Sequence, residues 1–167
     1  YHKTNTISTG KSKMTITTTE KQSVLRLCKN ENFIPEQIFD CGQCFRFEKV
    51  ADGRYGGVAF GRYIEVSLED GVPCIYGASE RDRELWNDFF DMSLDYGRVG
   101  ESFSHDATLT EAYKAGCGIR ILHQDEFETL ISFIISQNNN IPRIKGIISN
   151  LCKTYGEAFT DAWGNIR

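Results

Sequence analysis

Short apolar runs separated by turn residues fill the first half of the chain and predict an antiparallel sheet. The candidate strands lie at residues 24–28, 43–50, 57–60, 62–68 and 73–76. Asp52-Gly53, Phe60-Gly61 and Asp70-Gly71 supply tight turns between them. In the second run, Cys44 and Arg46 fall on one face and Phe45 and Phe47 on the other, as in a half-buried strand. The close spacing of the runs favours a meander.

From residue 79 the apolar spacing becomes helical, with Leu85, Trp86, Phe89 and Phe90 on one stripe. Capping-box patterns at 108–111 and 125–128 predict two helix starts, the second opening an apolar helix over 127–135. A turn at 137–140 follows. The next helix carries its apolar side chains at helical spacing: Ile144, Ile147, Ile148, Leu151, Cys152 and Tyr155. Gly156 is a natural stop.

These elements predict an α+β chain of two parts. Residues 14–118 form an N-terminal antiparallel sheet domain with covering helices, and residues 119–167 begin a helical domain. Residues 1–13 are polar and are interpreted as a tag or flexible leader, with Met14 a plausible native start. The tail to Arg167 is predicted to be a loop or an unfinished element. Two helices alone leave apolar faces open, so we expect the second domain to be truncated or completed by a partner.

Composition excludes several classes of protein. Of 167 residues, 40% are hydrophobic and 25% charged, which is ordinary for a globular chain and excludes a fibrous or wholly disordered one. No apolar run approaches the ~20 residues of a membrane span, and no secretory signal is evident. The formal net charge of −4 argues against a strongly basic nucleic-acid coat. Four basic and two acidic side chains lie in residues 141–167, so phosphate contacts are expected there.

The six cysteines do not predict disulfides, because a chain of this size can stabilise its own core. Cys41 and Cys44 have C-x-x-C spacing, which would fit a zinc or redox site. No second pair of ligands exists at a suitable spacing. We therefore expect two thiols at the start of a strand, and neither a metal nor a cofactor.

Three segments contain side chains suited to recognition, and each has a structural alternative. The amides of Gln137, Asn138, Asn139 and Asn140 suit helix caps, yet such groups also bind base edges or fill the gap left by a flipped nucleotide. Arg143 lies at the unfavourable end of a helix dipole, so it is either solvated or held by a base or phosphate.

The third segment is the stretch around Gly42, just before a candidate strand. A glycine there forms a turn or lets the backbone approach a ligand closely.

Two of these stretches carry a resemblance to a known family. Gly42-Gln43-Cys44-Phe45-Arg46-Phe47 looks like the G-Q-S/C-F-R-W/F element of 8-oxoguanine DNA glycosylases. Residues 118–143 look like the same family's G-R-L-L-x-Q-D-x-x-E-x-L-x-S-F-I-x-S-x-N-N-N-I-x-R-I element. The likeness covers roughly residues 24–159. Its N-N-N-I-x-R-I part is specific, whereas the helix pattern before it belongs to the wider helix-hairpin-helix glycosylase superfamily.

The resemblance implies a TATA-binding-protein-like sheet domain followed by the first helices of an all-α glycosylase domain. It implies base-excision repair, in which the full-length protein flips 8-oxoguanine out of duplex DNA, excises it and nicks the abasic site through a Schiff base. By position, the Gly42 carbonyl would accept the N7–H of the oxidised base, Asn138 would fill the vacated space and Arg143 would contact the orphaned cytosine. Gln43, Asn139 and Asn140 are supporting candidates.

The resemblance does not extend to the family's catalytic residues. The family's catalytic lysine lies in an L-P-G-V-G-x-K type hairpin, which this sequence lacks, and Lys145 occupies an exposed-looking helix position without those glycines. We therefore assign no catalytic residue to this chain and expect it to be inactive by itself. Its expected partners are damaged double-stranded DNA and the missing C-terminal helical domain, with no membrane. The expected location is intracellular: cytoplasm or nucleoid in a bacterium, nucleus in a eukaryote.

Two alternatives remain open. A glycosylase for alkylated bases would share the sheet and the general helix pattern, and a truncated relative could be a non-catalytic DNA-binding module.

Overall fold

The computed structural model describes residues 23–167, which form a five-stranded antiparallel sheet and six α-helices. The strands are β1 Val24–Arg26, β2 Phe47–Ala51, β3 Arg54–Ala59, β4 Arg62–Glu69 and β5 Val72–Tyr76. The helices are α1 Pro35–Asp40, α2 Arg83–Phe89, α3 Tyr96–Ser102, α4 Ala107–Gly116, α5 Glu126–Ser136 and α6 Ile141–Tyr155. The predicted α+β class is confirmed. The predicted leader at 1–13 and the start at Met14 lie outside the described residues.

The sheet order is β1-β5-β4-β3-β2, with every neighbouring pair antiparallel. Consecutive strands from β2 to β5 form the predicted meander, and β1 pairs with β5 at the far edge. The turns at Phe60-Gly61 and Asp70-Gly71 have positive φ at both residues, which matches the twist of the hairpins they close. α1 therefore carries the chain from one edge of the sheet to the other.

The second strand differs from its prediction. It begins at Phe47 rather than residue 43, and the preceding residues 41–46 consist of bends and irregular backbone. Cys44 and Phe47 are both buried, although a continuous strand would place them on opposite faces. The chain is not extended here because the side chains of this segment bond to the polypeptide that leads into α5, as described below.

The core lies between one face of the sheet and the first two helices. Its fully buried members are mostly aromatic and aliphatic: Leu25, Phe33, Ile38, Phe39, Phe47, Tyr55, Ile64, Val66, Ile75, Trp86, Phe89 and Phe90. Phe39 of α1 stacks on Phe47 of β2 with ring centroids 4.3 Å apart. The helical stripe predicted around Trp86 is thus the surface that covers the sheet.

Helix caps explain where the later helices begin. Asp125 caps α5 as predicted, its carboxylate accepting the amide of Glu128. The predicted cap at Thr108 is wrong: Asp106 accepts the amides of Thr108 and Leu109, so α4 begins two residues before the expected position. An Asp carboxylate outcompetes the threonine hydroxyl as an acceptor at this helix start.

The C-terminal segment is more ordered than the predicted loop. After α6 ends at Gly156, Thr160 and Ile166 form an antiparallel bridge around the buried Asp161. Trp163 packs edge-on against Tyr63 of β4, with ring centroids 5.4 Å apart. The segment therefore returns to the sheet and rests on it.

The outer faces of the last two helices carry exposed apolar side chains, as the sequence predicted. On α5 the exposed fractions are 73% for Phe127 and 63% for Phe133. The predicted boundary between residues 118 and 119 stays a prediction. None of the helices within residues 23–167 has the length and hydropathy to cross a bilayer.

Candidate nucleic-acid interface

Two distant stretches singled out by the sequence meet in space. We call residues 41–46 the glycine loop and residues 137–140, between α5 and α6, the knuckle. Gly42 has φ +86°, and a Cβ built there would lie 3.6 Å from Cδ1 of Ile141, the residue after the knuckle. The left-handed backbone favours glycine at this position. The glycine loop and the knuckle therefore border the same part of the surface.

Gln43 fastens the glycine loop to the segment that enters α5. Its Nε2 donates to the carbonyl oxygens of Arg120 at 2.7 Å and Ile38 at 3.1 Å, and its Oε1 accepts the amide of Leu122 at 2.9 Å. Its own carbonyl accepts from Nε2 of Gln124 at 2.7 Å. Both ends of the Gln43 side chain are thus bonded to protein groups. We conclude that Gln43 shapes the loop, with its side chain directed to the protein.

Two further contacts attach the loop region to both helices of the hairpin. Arg46 forms a half-buried ion pair with Glu128 of α5 at 3.0 Å. Nζ of Lys145, on α6, donates to the carbonyl oxygen of Phe47 at 2.9 Å. The prediction that Lys145 is exposed is therefore wrong, because its side chain reaches across to the sheet domain and is partly buried.

The amide side chains of the knuckle differ in whether they bond to the protein or face solvent. Asn139 donates from Nδ2 to the carbonyl of Ile135 at 3.2 Å and accepts the amide of Asn140 at 3.0 Å. Asn140 caps α6, its Oδ1 accepting the amide of Arg143 at 3.1 Å. The capping role that composition suggested holds for these two asparagines.

The side chains of Asn138 and Arg143 remain directed outward. Both are exposed, and among the described residues neither side chain forms a hydrogen bond or ion pair. Asn138 has φ +50°, a left-handed conformation that asparagine tolerates better than most residues. With Ser136, Asn139 and Asn140 they border an open polar hollow of about 370 Å³. The first turn of α6 contains no acidic residue, so its positive end favours an anionic or hydrogen-bond-accepting partner.

Comparison with known proteins decides the family. Residues 25–130, more than half of the chain, match the family described as 8-oxoguanine DNA glycosylase, N-terminal domain. The chain belongs to the 8-oxoguanine DNA glycosylase family. The resemblance stated from the glycine loop and the knuckle is thereby confirmed.

Relatives in the family are longer than this chain. The N-glycosylase/DNA lyase OGG1 of Arabidopsis thaliana is 30% identical over 145 residues, which are 83% of this chain and 40% of that protein. The N-glycosylase/DNA lyase of Saccharomyces cerevisiae is 56% identical over 43 residues, 26% of this chain and 11% of its own length. The chain thus spans well under half of these relatives.

Solved structures give the same result. The 8-oxoguanine glycosylase/lyase of Clostridium acetobutylicum in its apo-form superposes with a TM-score of 0.81 and 40% identity, over 87% of this chain and 51% of that one. The same enzyme in complex with double-stranded DNA containing cytosine opposite 8-oxoG superposes with a TM-score of 0.79 and 41% identity, over 83% of this chain and 48% of that one. MBOgg1 in complex with a low affinity DNA ligand superposes with a TM-score of 0.82 and 43% identity, over 88% of this chain and 51% of that one.

Arg120 is a structural residue of this family member that the sequence analysis missed. It is fully buried, and its guanidinium donates to the carbonyl oxygens of Asn32, Phe90, Asp91 and Leu94. Burial lowers the pKa of Arg120 from its usual range. A cation inside the apolar stretch 118–122 was the available signal. Since the Arg120 carbonyl holds Gln43, this residue also supports the glycine loop.

The C-x-x-C pair of this glycosylase-family chain consists of free thiols. Cys41 is exposed and Cys44 is buried. Burial raises the pKa of the Cys44 thiol to about 12, and the neighbouring Cys41 adds to the shift. Cys44 is therefore a neutral thiol at physiological pH. In residues 23–167 no group of three His, Cys, Asp or Glu side chains is placed to hold a metal ion.

Proposed function

We propose that this chain supplies the lesion-reading part of an 8-oxoguanine DNA glycosylase with associated abasic-site lyase activity, acting in base-excision repair. The observation that carries the proposal is the proximity of the glycine loop to the start of α6, where Cδ1 of Ile141 lies 3.6 Å from a Cβ built on Gly42. It brings a backbone suited to close approach next to a knuckle of unpaired recognition groups. Family membership and the relative solved with DNA containing 8-oxoG support the same conclusion.

Gly42 is proposed to recognise the lesion through its carbonyl oxygen. Among the described residues no hydrogen bond uses that oxygen. Oxidation of guanine converts N7 from an acceptor into a donor, so a carbonyl attracts the N7–H of 8-oxoguanine and repels N7 of normal guanine. The absence of a side chain lets the base approach the backbone. A neutral acceptor thereby distinguishes the two purines.

Asn138 and Arg143 are proposed to act on the strand opposite the lesion. A flipped base leaves a gap in the duplex, and an exposed amide at a protruding tip can fill it and bond to base edges. The unpaired guanidinium of Arg143 can donate to the acceptors of an orphaned cytosine. Asn139, Asn140 and Gln43 act indirectly by shaping the knuckle and the glycine loop.

None of these residues is given a catalytic role. In the full-length protein we propose that a lysine amine displaces the base at C1′ and forms the Schiff base that permits strand cleavage. Lys145 is engaged with the Phe47 carbonyl and is given no such role. The partners are damaged duplex DNA and a C-terminal helical domain, which would begin at about residue 119. A substrate of duplex DNA implies an intracellular location, in the nucleoid or the nucleus.

The test is single-turnover excision by the full-length protein on duplexes containing one 8-oxoguanine, one guanine or one alkylated purine at the same site. We expect excision of 8-oxoguanine opposite cytosine, and covalent trapping of protein on DNA by borohydride. Preferential release of the alkylated purine would favour the alternative glycosylase. Binding without excision would favour the non-catalytic module.

A further inference from the structure

We propose that Lys145 is a positioning residue that fixes the start of α6 against the sheet domain and thereby sets where Arg143 meets the opposite base. The inference rests on the proposed function, since it concerns the opposite-base selectivity of that same site. It assigns no contact with DNA to Lys145 itself.

The contact joins α6 to a rigid part of the sheet domain. Nζ of Lys145 lies 2.9 Å from the carbonyl oxygen of Phe47. Phe47 is 2% exposed, stacks on Phe39 with centroids 4.3 Å apart and pairs with Gly57 in the sheet. The bond therefore anchors the helix to a residue that is held on three sides.

A second residue on the same helix face helps to define the rotation of α6 about its own axis. Ile141 and Lys145 are four residues apart, so they lie above one another on one face of α6. Cδ1 of Ile141 lies 3.6 Å from a Cβ built on Gly42, and Lys145 bonds to Phe47, just after the glycine loop. The buried Ile144 and Ile148 also pack this helix, but apolar contacts have no preferred direction. The hydrogen bond of Lys145 is directional and therefore defines the height and the rotation of the helix.

Arg143 lies between these two anchors in sequence but on another face. At about 100° per residue, it is turned roughly 200° from both Ile141 and Lys145, away from the glycine loop. A rotation of α6 therefore displaces the Arg143 guanidinium directly. Arg143 itself has no other side-chain bond in the described part of the chain to hold it in place. Its position depends on the seating of the helix.

The sequence around Lys145 supports this role. Arg143 and Lys145 place two cations in the first two turns of α6, where the helix dipole disfavours positive charge and no acidic residue compensates in the first turn. The bond to the Phe47 carbonyl gives one of these cations a defined partner. Loss of the ammonium removes this hydrogen bond, so α6 is then seated by Ile141 and by the buried side chains of Ile144 and Ile148 without it.

The experiment measures opposite-base selectivity in the full-length protein. Lys145→Met keeps the length of the side chain and removes the donor, and Lys145→Arg restores a cationic donor. Lys153→Met, on the exposed last turn of the same helix, is the matched control. The readout is the ratio of single-turnover excision rates with cytosine and with adenine opposite 8-oxoguanine.

We expect Lys145→Met to lower this ratio about tenfold, the lower end of what one hydrogen bond to a charged group contributes, and Lys145→Arg to recover most of it. Lys153→Met should leave the ratio unchanged even if affinity falls, because phosphate contacts do not discriminate bases. Partial unfolding lowers both rates equally and leaves the ratio intact. An unchanged ratio in Lys145→Met would overturn the inference, whereas a wild-type protein that excises no 8-oxoguanine would overturn the proposed function instead.

Discussion

Replacement of Gly42 by alanine separates the backbone role of this residue from its proposed role in lesion recognition. Gly42 has φ +86°, a conformation that costs an L-residue about 1 kcal/mol or more. The added Cβ would meet only Cδ1 of Ile141 at 3.6 Å, an ordinary contact, so steric overlap adds nothing. We expect the free energy of unfolding to fall by about 1–2 kcal/mol and the melting temperature by about 2–6 °C.

Strain at Gly42 also moves the carbonyl that is proposed to accept the N7–H of 8-oxoguanine. Loss of one hydrogen bond and the accompanying misplacement should reduce the preference for 8-oxoguanine over guanine about tenfold. The assay is single-turnover excision by the full-length protein on matched duplexes opposite cytosine. Urea denaturation of the same preparations measures stability.

Gly53→Ala is the matched control. Gly53 has φ +63° in the turn between β2 and β3, and no atom lies within 4 Å of a Cβ built there. It should lose a similar amount of stability and keep the full preference for 8-oxoguanine. If Gly42→Ala kept the lesion preference of the wild type while losing stability as expected, the Gly42 carbonyl would not be the group that recognises the lesion.

Three further predictions follow from single contacts. Gln43→Leu should lower the free energy of unfolding by about 2–4 kcal/mol in urea denaturation, because it leaves the Leu122 amide and the Arg120 carbonyl oxygen without partners and removes one donor from the Ile38 carbonyl. Asn138→Gly should keep stability, since glycine adopts φ +50° freely, but slow excision about tenfold by removing the amide that is proposed to fill the gap. Burial raises the pKa of the Cys44 thiol from 9.0 to about 12, so the contribution of this thiol to stability is present below pH 9 and is lost as pH rises toward 12. Cys44→Ala should flatten that loss of stability at high pH. Iodoacetamide at pH 8 should label Cys41 and leave Cys44 unmodified.

Each of these has a result that contradicts it. A loss below about 1 kcal/mol for Gln43→Leu would mean that water replaces its partners at no cost. Wild-type excision by Asn138→Gly would exclude the side chain as the group that fills the gap. Labelling of Cys44 at the rate of Cys41, followed by mass spectrometry of the peptides, would show that the buried thiol is accessible in the folded protein.

Local sequence patterns determined most of the fold. Alternation and turn residues located all five strands, because the side-chain period and the turn chemistry at Phe60-Gly61 and Asp70-Gly71 are properties of a few adjacent residues. The Asp125 cap, the stop at Gly156 and the capped turn before α6 are local in the same sense. The glycine loop and the knuckle were proposed as recognition elements from their residues and the family they resemble.

Only the tertiary structure decided how these elements are connected and which side chains are free. The sequence could not show that Gln43 is occupied by protein partners, that Arg120 is buried among carbonyls, or that Lys145 reaches Phe47, because these contacts join residues 26 to 98 positions apart. It also placed the second strand too early, since bonds to the segment before α5 override the alternation of residues 43–46. Local periodicity reports which face a residue takes within its own element, whereas a hydrogen-bond partner depends on how separate elements pack.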